Sequence, residues 1–422
     1  MNPTTVGGTA FASNGPSHSG SQYVARSGFT AIAAETPSDY PRLVASPAVS
    51  QDRSRARAGA VASFPPVIAQ NPYQRLLYEH LAALGVELAD GAKLKTGWLW
   101  RNRSKVNVLH FHWPQSYYQW LWEPSWARRP LSWLRLAVFT WRLTLARVLG
   151  YRLVWTVHQV YPHETVSAKI DRLAGRVLAS ACHALTAHDR STAELVEREL
   201  GLDADRVVVL PHASYVGVYP EGRDRAVVRA DLGLAPDAFV FLSFGHLRGY
   251  KDIDLLMAAF RGLDDPSAML LVAGPALDAD TVSALRGAAA SDPRIVPVLE
   301  FVPDDRVAEL FDACDAAVLS RGDGGTSGAL VLALSLGLPV IAADMPAYAD
   351  LLGGGRAGWL FEPGSPESLG AALAAAAADP EAAARKGVEA RARADALRWD
   401  DYSAGLAAVM LGEAPAVSLS YA

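Results

Sequence analysis

The sequence predicts an α/β fold built from two doubly wound, Rossmann-like parallel-sheet domains. Two successive arrays of five or six short apolar strands alternate with helical patterns, and a segment containing Pro and Gly at 214–225 separates them. Strands that alternate with helices form parallel sheets covered on both faces. We expect the two sheets to face a cleft at the carboxyl ends of their strands, where ligands bind in such folds.

The element pattern divides the 422 residues into four segments. Residues 1–59 are rich in Ser, Gly, Thr, Ala and Pro without a sustained period, which predicts a disordered extension. The first domain spans 60–217 and the second spans 218–398. The last segment, 399–422, contains a helical pattern that we expect to pack back toward the hinge.

Individual elements follow from the apolar runs. Strands are predicted in the first array at 60–64, 106–113, 152–158, 184–188 and 206–212, and in the second at 239–245, 268–274, 294–302, 315–320, 339–344 and 358–363. Helices of the first array are predicted at 71–85, 131–149, 167–180 and 191–201.

Composition limits the classes of function. The net charge of −5 and the pI near 6.1 provide no overall basic field, which argues against a nucleic-acid partner. Cys182 and Cys314 sit in apolar helix-like settings, as expected of buried thiols in a reducing cytoplasm. The sequence shows neither an apolar run long enough for a spanning helix nor a secretory signal, so we expect a cytoplasmic protein.

Two stretches in the second array point to a diphosphate. The strand that ends at Gly245 is followed by Arg248 and Lys251, which a short turn would place over the cleft as phosphate-binding cations. Thr326 and Ser327 precede a helix whose first turn contains Gly328 and no acidic residue, so its free amides are available to an anion. Solvated charges would explain the first stretch, and a capped helix the second. Neither explains their pairing.

Histidines of the first array collect at strand ends. Six of the ten occupy equivalent positions, which favours a shared polar cleft; they are His110, His112, His158, His163, His188 and His212. Glu164 beside His163 is the most suggestive acid/base candidate, although a hydrogen-bonded loop anchor explains it equally well.

Aromatic and basic residues are mixed between Tyr117 and Arg152, with Glu123 as the opposing charge. This composition suits the headgroup layer of an anionic membrane. Two alternatives stay open: a core helix with a basic outer face and, less favoured, an RNA-binding surface.

Several of these stretches resemble a known family. FGHLRGYKDIDLLMAAF at 244–260 is similar to the Gly-Arg-Leu…Lys-Gly donor motif of GT-B glycosyltransferases of the family 4-type group, and TSGALVLALSLGLPVIAAD at 326–344 is similar to its donor-site helix. RWDDYSAGLAAVM at 398–410 resembles its closing helix. The first-domain stretches NPYQRLLYEHLAALG, HFHWP, TVHQVYPHE and VVVLPHASYVGVYP are similar to bacterial exopolysaccharide β-mannosyltransferases and related enzymes.

The resemblance implies transfer of a hexosyl group from a nucleotide diphosphate sugar, GDP-mannose or a UDP-sugar, to a lipid-linked saccharide at the inner face of the plasma membrane. It implies neither a cofactor nor a metal. The diphosphate would contact Gly245, Arg248, Lys251, Thr326, Ser327 and Gly328. The acceptor side would hold Asn71, Tyr73, His163 and His212.

The sequence departs from the family at one pair of positions. Many retaining members carry two glutamates with seven residues between them at the donor-site helix, whereas Gly324 and Leu332 stand in the comparable places here. This departure leaves room for an inverting mechanism with a first-domain base, for which His112, His158 and Glu164 are the candidates. It also keeps two alternatives: a GT-B epimerase or phosphorylase, and a non-catalytic sugar-nucleotide-binding subunit.

Overall fold

The computed structural model describes residues 59–68, 72–122, 124–162, 165–203, 205–247, 252–276, 278–322 and 324–413. All of them lie within one compact unit, Leu43–Ala422. They form two six-stranded sheets in which every strand pair is parallel. The predicted fold class, two doubly wound sheets, is therefore confirmed.

The first sheet has the strand order β2-β1-β3-β4-β5-β6. Its elements are β1 (Gly59–Phe64), α1 (Pro72–Ala83), β2 (Val86–Leu88), α2 (Thr96–Asn102), β3 (Val108–Phe111), α3 (Gln115–Tyr118), α4 (Ser125–Val148), β4 (Arg152–Val157), α5 (Ala168–Ala181), β5 (Ala184–Ala187), α6 (Arg190–Leu200) and β6 (Val207–Val209). The sequence predicted neither β2, α2 nor α3, because each is too short to show a period.

The second sheet has the order β12-β11-β10-β7-β8-β9. Its elements are α7 (Arg225–Asp231), β7 (Val240–Phe244), α8 (Ile253–Arg261), β8 (Met269–Ala273), α9 (Ala279–Ser291), β9 (Ile295–Val298), α10 (Asp304–Asp312), β10 (Ala316–Leu319), α11 (Gly328–Ser335), β11 (Val340–Ala343), α12 (Pro346–Leu351), β12 (Gly358–Phe361), α13 (Pro366–Ala378), α14 (Pro380–Asp395) and α15 (Trp399–Leu411). The inner strands β7, β8, β10 and β11 are apolar and nearly all buried, as expected for a parallel sheet covered by helices on both faces, whereas the edge strands β9 and β12 are partly exposed.

The last helix, α15, returns to the first half of the chain. The indole of Trp399 donates a hydrogen bond to the carbonyl of Ser214 at 2.7 Å, and the amide of Ser214 donates to the carbonyl of Leu397 at 2.8 Å. Farther along α15, the hydroxyl of Tyr402 lies 2.7 Å from that of Tyr73 on α1. The predicted C-terminal helix that packs toward the hinge is present.

Helix α4 has two distinct faces. One face is buried through Leu136, Phe139 and Leu143. The opposite face exposes Trp126, which is 79% accessible, and Trp141, which is 57% accessible. The helix begins at Ser125, six residues before the predicted start at 131, and includes Pro130 in its early turns. Pro130 is the sixth residue of the helix and lies past the first amides, which have no helical partner, so it removes one intrahelical hydrogen bond.

Candidate active site

A cavity of about 440 Å³ lies between the two sheets at the carboxyl ends of their strands. One wall comes from the first half of the chain: Pro72, Tyr73, Trp113, His158, Gln159 and His212. The other wall comes from the second half, chiefly from the loop after β7 and the start of α11. The predicted cleft is thus formed by residues of both arrays.

The start of α11 offers backbone donors to this cavity. Ser327 is its N-cap and makes no side-chain capping bond, and the first turn carries no acidic residue. Ser327, Gly328 and Ala329 all line the cavity. The first amides of a helix lack helical acceptors and carry partial positive charge, so this edge suits an anion.

Gly245 lies beside this edge, just after β7, with a φ of 104° that disfavours other residues. A side chain at Gly274 would collide with the Gly245 carbonyl, so the two strand ends approach closely. Gly245, Thr326, Ser327 and Gly328 therefore border one cavity. Five other predicted site residues lie outside the described ranges: Asn71, His163, Glu164, Arg248 and Lys251.

Thr326 borders the cavity but already has a protein partner. Its hydroxyl and its amide both donate to Oδ2 of Asp189, at 2.9 and 3.2 Å. Asp189 belongs to the first half of the chain, where it is the N-cap of α6. The contact of Asp189 was not predictable from the sequence, because its partner lies 137 residues away.

Four histidines of the first half, His110, His112, His158 and His188, form a hydrogen-bonded chain at the wall that this half contributes to the cavity. Nδ1 of His112 lies 3.1 Å from Nε2 of His158, and Nδ1 of His158 lies 3.3 Å from Nε2 of His188. Nδ1 of His188 reaches the carbonyl oxygen of Leu210 at 3.2 Å. At the other end, the hydroxyl of Tyr78 bridges Nε2 of His112 and Nδ1 of His110, at 3.0 and 2.9 Å.

One carbonyl fixes the direction of this histidine chain. The oxygen of Leu210 accepts hydrogen bonds only, so Nδ1 of His188 carries the proton and its Nε2 is an acceptor. His158 must then donate from Nδ1 to His188, and His112 from Nδ1 to His158. By the same rule Tyr78 donates to His112 and accepts from His110. The hydroxyl of Thr156 donates to Nε2 of His110 at 2.8 Å.

This polarity requires every ring in the chain to be neutral, and burial enforces that state. Burial lowers the pKa of His110 to about 3 and that of His188 to about 4. Burial and the neighbouring histidines hold the pKa of His112 and His158 well below the usual value. Charging one ring would cost desolvation energy and break the donor-acceptor order.

The two predicted histidine bases therefore have no ring nitrogen left for a substrate. Both nitrogens of His112 and both of His158 are engaged within the histidine chain. His158 does line the cavity, where its ring stacks on Trp113 with centroids 4.5 Å apart. The geometry makes His158 part of a rigid aromatic wall.

His212 differs from His158 in its hydrogen bonds. Its Nδ1 donates to the carbonyl of Ala213 at 2.7 Å, which fixes the proton there and leaves Nε2 as an acceptor. Nε2 has no hydrogen-bond partner among the described residues, and the ring borders the cavity. Burial, then the nearby His188, lower the pKa of His212 to about 3, so the ring is neutral at physiological pH.

Comparisons with known proteins agree with this architecture. Residues 224–393, which hold all six strands of the second sheet, match the family described as "Glycosyl transferases group 1". The chain is 27% identical over 258 residues to a GDP-mannose:glycolipid 4-beta-D-mannosyltransferase from Xanthomonas campestris pv. campestris, an alignment that covers 61% of this chain and 67% of the relative.

Two further proteins extend the comparison. A D-inositol 3-phosphate glycosyltransferase from Streptomyces scabiei is 24% identical over 349 residues, which cover 80% of this chain and 74% of the relative. The crystal structure of HepE from Anabaena in complex with UDP superimposes with a TM-score of 0.63 at 16% identity and covers 84% of this chain and 99% of HepE.

The two facing sheets and these matches define the class: the chain is a glycosyltransferase with the GT-B fold. Its second half contains the glycosyl transferases group 1 domain, and the predicted resemblance to the family 4-type group is confirmed.

Proposed function

We propose that this glycosyltransferase moves a hexosyl group from a nucleoside diphosphate sugar to a lipid-linked saccharide in exopolysaccharide or glycolipid synthesis. The observation that supports this proposal best is the cavity itself, which sets the open start of α11 opposite a wall of aromatic and histidine side chains. GDP-mannose is the preferred donor because the mannosyltransferase from Xanthomonas is a relative, and a UDP-sugar is the alternative.

In this proposal the departing diphosphate is stabilised electrostatically. The amides of Ser327 and Gly328 would donate to its oxygens, and Arg248 and Lys251 would supply the positive charge. Fixed donors that meet developing negative charge lower the barrier without reorganising. We propose that these groups take the place of a metal ion.

On the acceptor side, we propose His212 as the base. As the acceptor oxygen attacks the anomeric carbon, the bond from that carbon to the diphosphate oxygen breaks, and the acceptor proton passes to Nε2 of His212. The leaving diphosphate then carries the negative charge that offsets the imidazolium. Leu332, at one of the usual glutamate positions, is an apolar residue of the cavity wall, which favours this inverting route over the retaining one.

The exposed face of α4 is proposed as the contact with the membrane that carries the acceptor. Trp122, Trp126 and Trp141 are more than half accessible, and Arg129 and Arg147 are exposed near them along the chain. Exposed indole rings mixed with cations suit an anionic headgroup layer. No helix within the described ranges combines the length and apolar character needed to cross a bilayer. We propose peripheral association with the inner face of the plasma membrane.

Transfer assays with purified protein test the function. GDP-mannose, UDP-glucose and UDP-glucuronate would each be incubated with and without a crude lipid-linked acceptor fraction, and products followed by mass spectrometry. We expect sugar transfer from one donor only when acceptor is present. Conversion of a donor without acceptor would support an epimerase instead. Nucleotide binding without turnover under any condition would support a non-catalytic subunit.

A further inference from the structure

Asp189 makes more hydrogen bonds than a helix cap requires. Its Oδ1 accepts from the amide of Thr192 at 2.7 Å and from the hydroxyl of Ser191 at 2.6 Å, which completes an N-cap for α6. Its Oδ2 accepts from the hydroxyl of Thr192 at 2.8 Å and from both donors of Thr326. One carboxylate thus joins a helix of the first sheet to the loop before α11.

In the bonds to Thr326, the acceptor is the buried, charged carboxylate of Asp189 and the donors are neutral. Asp189 is only 5% exposed. Burial raises the pKa of its carboxyl, but the hydrogen bonds from Ser191, Thr192 and Thr326 outweigh this and lower it overall. The carboxylate is therefore ionised at neutral pH. Hydrogen bonds to an ionised acceptor are shorter and stronger than neutral ones, so this contact holds Thr326 firmly.

The loop also packs tightly against α6. We call residues 324–327 the donor loop. A side chain at Gly325 would collide with the hydroxyl of Thr192 and would lie 3.3 Å from Oδ2 of Asp189. Glycine is thus the residue that lets the loop backbone reach the Asp189 carboxylate. The contact is a close backbone approach and involves more than one side chain.

The donor loop ends where the free helix amides begin. Ser327 follows Thr326 directly, and Ser327 and Gly328 border the cavity. When Thr326 is held, the direction in which the next amides point is held as well. A site that binds an anion through preset donors loses affinity when those donors must first be ordered.

We propose that Asp189 is a positioning residue: it holds the donor loop in the arrangement that binds the donor diphosphate, from the opposite side of the cleft. The inference rests on the proposed function, because it assumes a nucleoside diphosphate at the start of α11. It adds that donor binding depends on a residue of the acceptor half of the molecule. Asp189 itself touches neither substrate in this scheme.

Two variants weaken or remove the contact and keep the helix cap. Asp189→Ser retains a good capping residue but offers one oxygen in place of two, so it satisfies Thr192 and releases Thr326. Thr326→Val removes the hydroxyl donor from the other side. Ser191→Ala is the matched control, since it removes one hydroxyl donor from the same carboxylate on the α6 side.

Binding of GDP and of UDP is measured by calorimetry for the wild type, the single variants and the Asp189→Ser/Thr326→Val double variant. We expect each of the two contact variants to weaken binding roughly tenfold and Ser191→Ala to change it less than about twofold. The double variant should bind no more weakly than Asp189→Ser alone, because that substitution already removes both bonds that Thr326 donates. In transfer assays the donor KM should rise while the acceptor KM stays constant.

Three outcomes would overturn the inference. Additive losses in the double variant would mean that Thr326 contacts the phosphate directly. Tighter nucleotide binding by Asp189→Ser would mean that the carboxylate competes with the diphosphate for the loop. Equal binding by all variants would mean that the contact has no influence on the donor site. Failure of the wild type to bind GDP or UDP would instead overturn the proposed function, and the inference with it.

Discussion

The hydroxyls of Tyr73 and Tyr402 lie 2.7 Å apart and join the first helix of the described chain to the last, across 329 residues. Both rings are buried, and Tyr73 also borders the cavity, with His212 at a centroid distance of 4.8 Å. The cavity wall that includes Tyr73 is therefore supported by α15, a helix from the end of the described chain. Neighbouring rings of His158 and His188 contact Tyr73 edge-on.

This pair predicts a measurable coupling. Tyr402→Phe and Tyr73→Phe should each lower the free energy of unfolding by about 1–3 kcal/mol, because each leaves a buried hydroxyl without its partner. The double variant should lose less than the sum, since no unpaired hydroxyl of the pair is left. Urea unfolding of the four proteins measures the coupling. Strict additivity would mean that the hydrogen bond contributes nothing to stability.

Acidification should destabilise the protein steeply below about pH 6.5, the pKa of histidine in an unfolded chain. The folded chain holds the pKa of His188 at about 4 and those of His110 and His212 at about 3, and it lowers those of His112 and His158 as well. Below pH 6.5 the histidines of the unfolded chain therefore bind protons, whereas those of the folded chain stay neutral. The free energy of unfolding then falls as the pH falls, and above pH 6.5 it is independent of these groups.

Each histidine that stays neutral contributes up to about 1.4 kcal/mol per pH unit in this window. Urea unfolding between pH 7.5 and 5 measures the slope. His212→Gln should reduce the slope, because it removes one of the groups whose pKa differs between the two states. A free energy of unfolding that stays constant from pH 7 to 5 would contradict the buried, neutral chain.

His212 also makes a kinetic prediction. His212→Phe should lower kcat by about 10²–10⁴-fold, the usual contribution of a general base, while nucleotide binding changes little. His80→Gln is the control, since His80 stacks on Trp399 and does not border the cavity. Steady-state transfer assays provide kcat, and calorimetry provides nucleotide binding. Full turnover by His212→Phe would exclude it as the base.

Much of the fold was predictable because the spacing of apolar residues along the chain differs between strands and helices. The strand ends at Phe64, Val157 and Ala187 lie within one residue of their predicted positions. Gly328 and the absence of an acidic residue near it predicted a helix whose first amides are uncovered, and in the structure this helix begins at the cavity. Each of these features depends on residues that are close together in the sequence.

The hydrogen-bond partners that distinguish the histidines were not predictable from local sequence. The sequence makes His112 and His158 candidate bases from their place at strand ends, which His212 shares. In the structure His112, His158 and His188 form hydrogen bonds with one another, and the hydroxyl of Tyr78 and the carbonyl of Leu210 bond the two end nitrogens of this row. The contact between Asp189 and Thr326 was not predictable for the same reason, since the two residues meet only after both halves of the chain fold.

The exposed face of α4 supports a last prediction about membranes. The purified protein should co-sediment with vesicles that contain phosphatidylglycerol, more strongly at low than at high salt, because the attraction between arginines and lipid headgroups is screened. A Trp126→Ala/Trp141→Ala variant should bind about tenfold more weakly, since it loses two exposed indole rings that would enter the interface. Trp100→Ala is the matched control, because Trp100 is as exposed as Trp141, at 57%, but lies on α2, beneath the guanidinium of Arg103. Binding that does not change with lipid charge, with salt or with the loss of Trp126 and Trp141 would show that this face has another role.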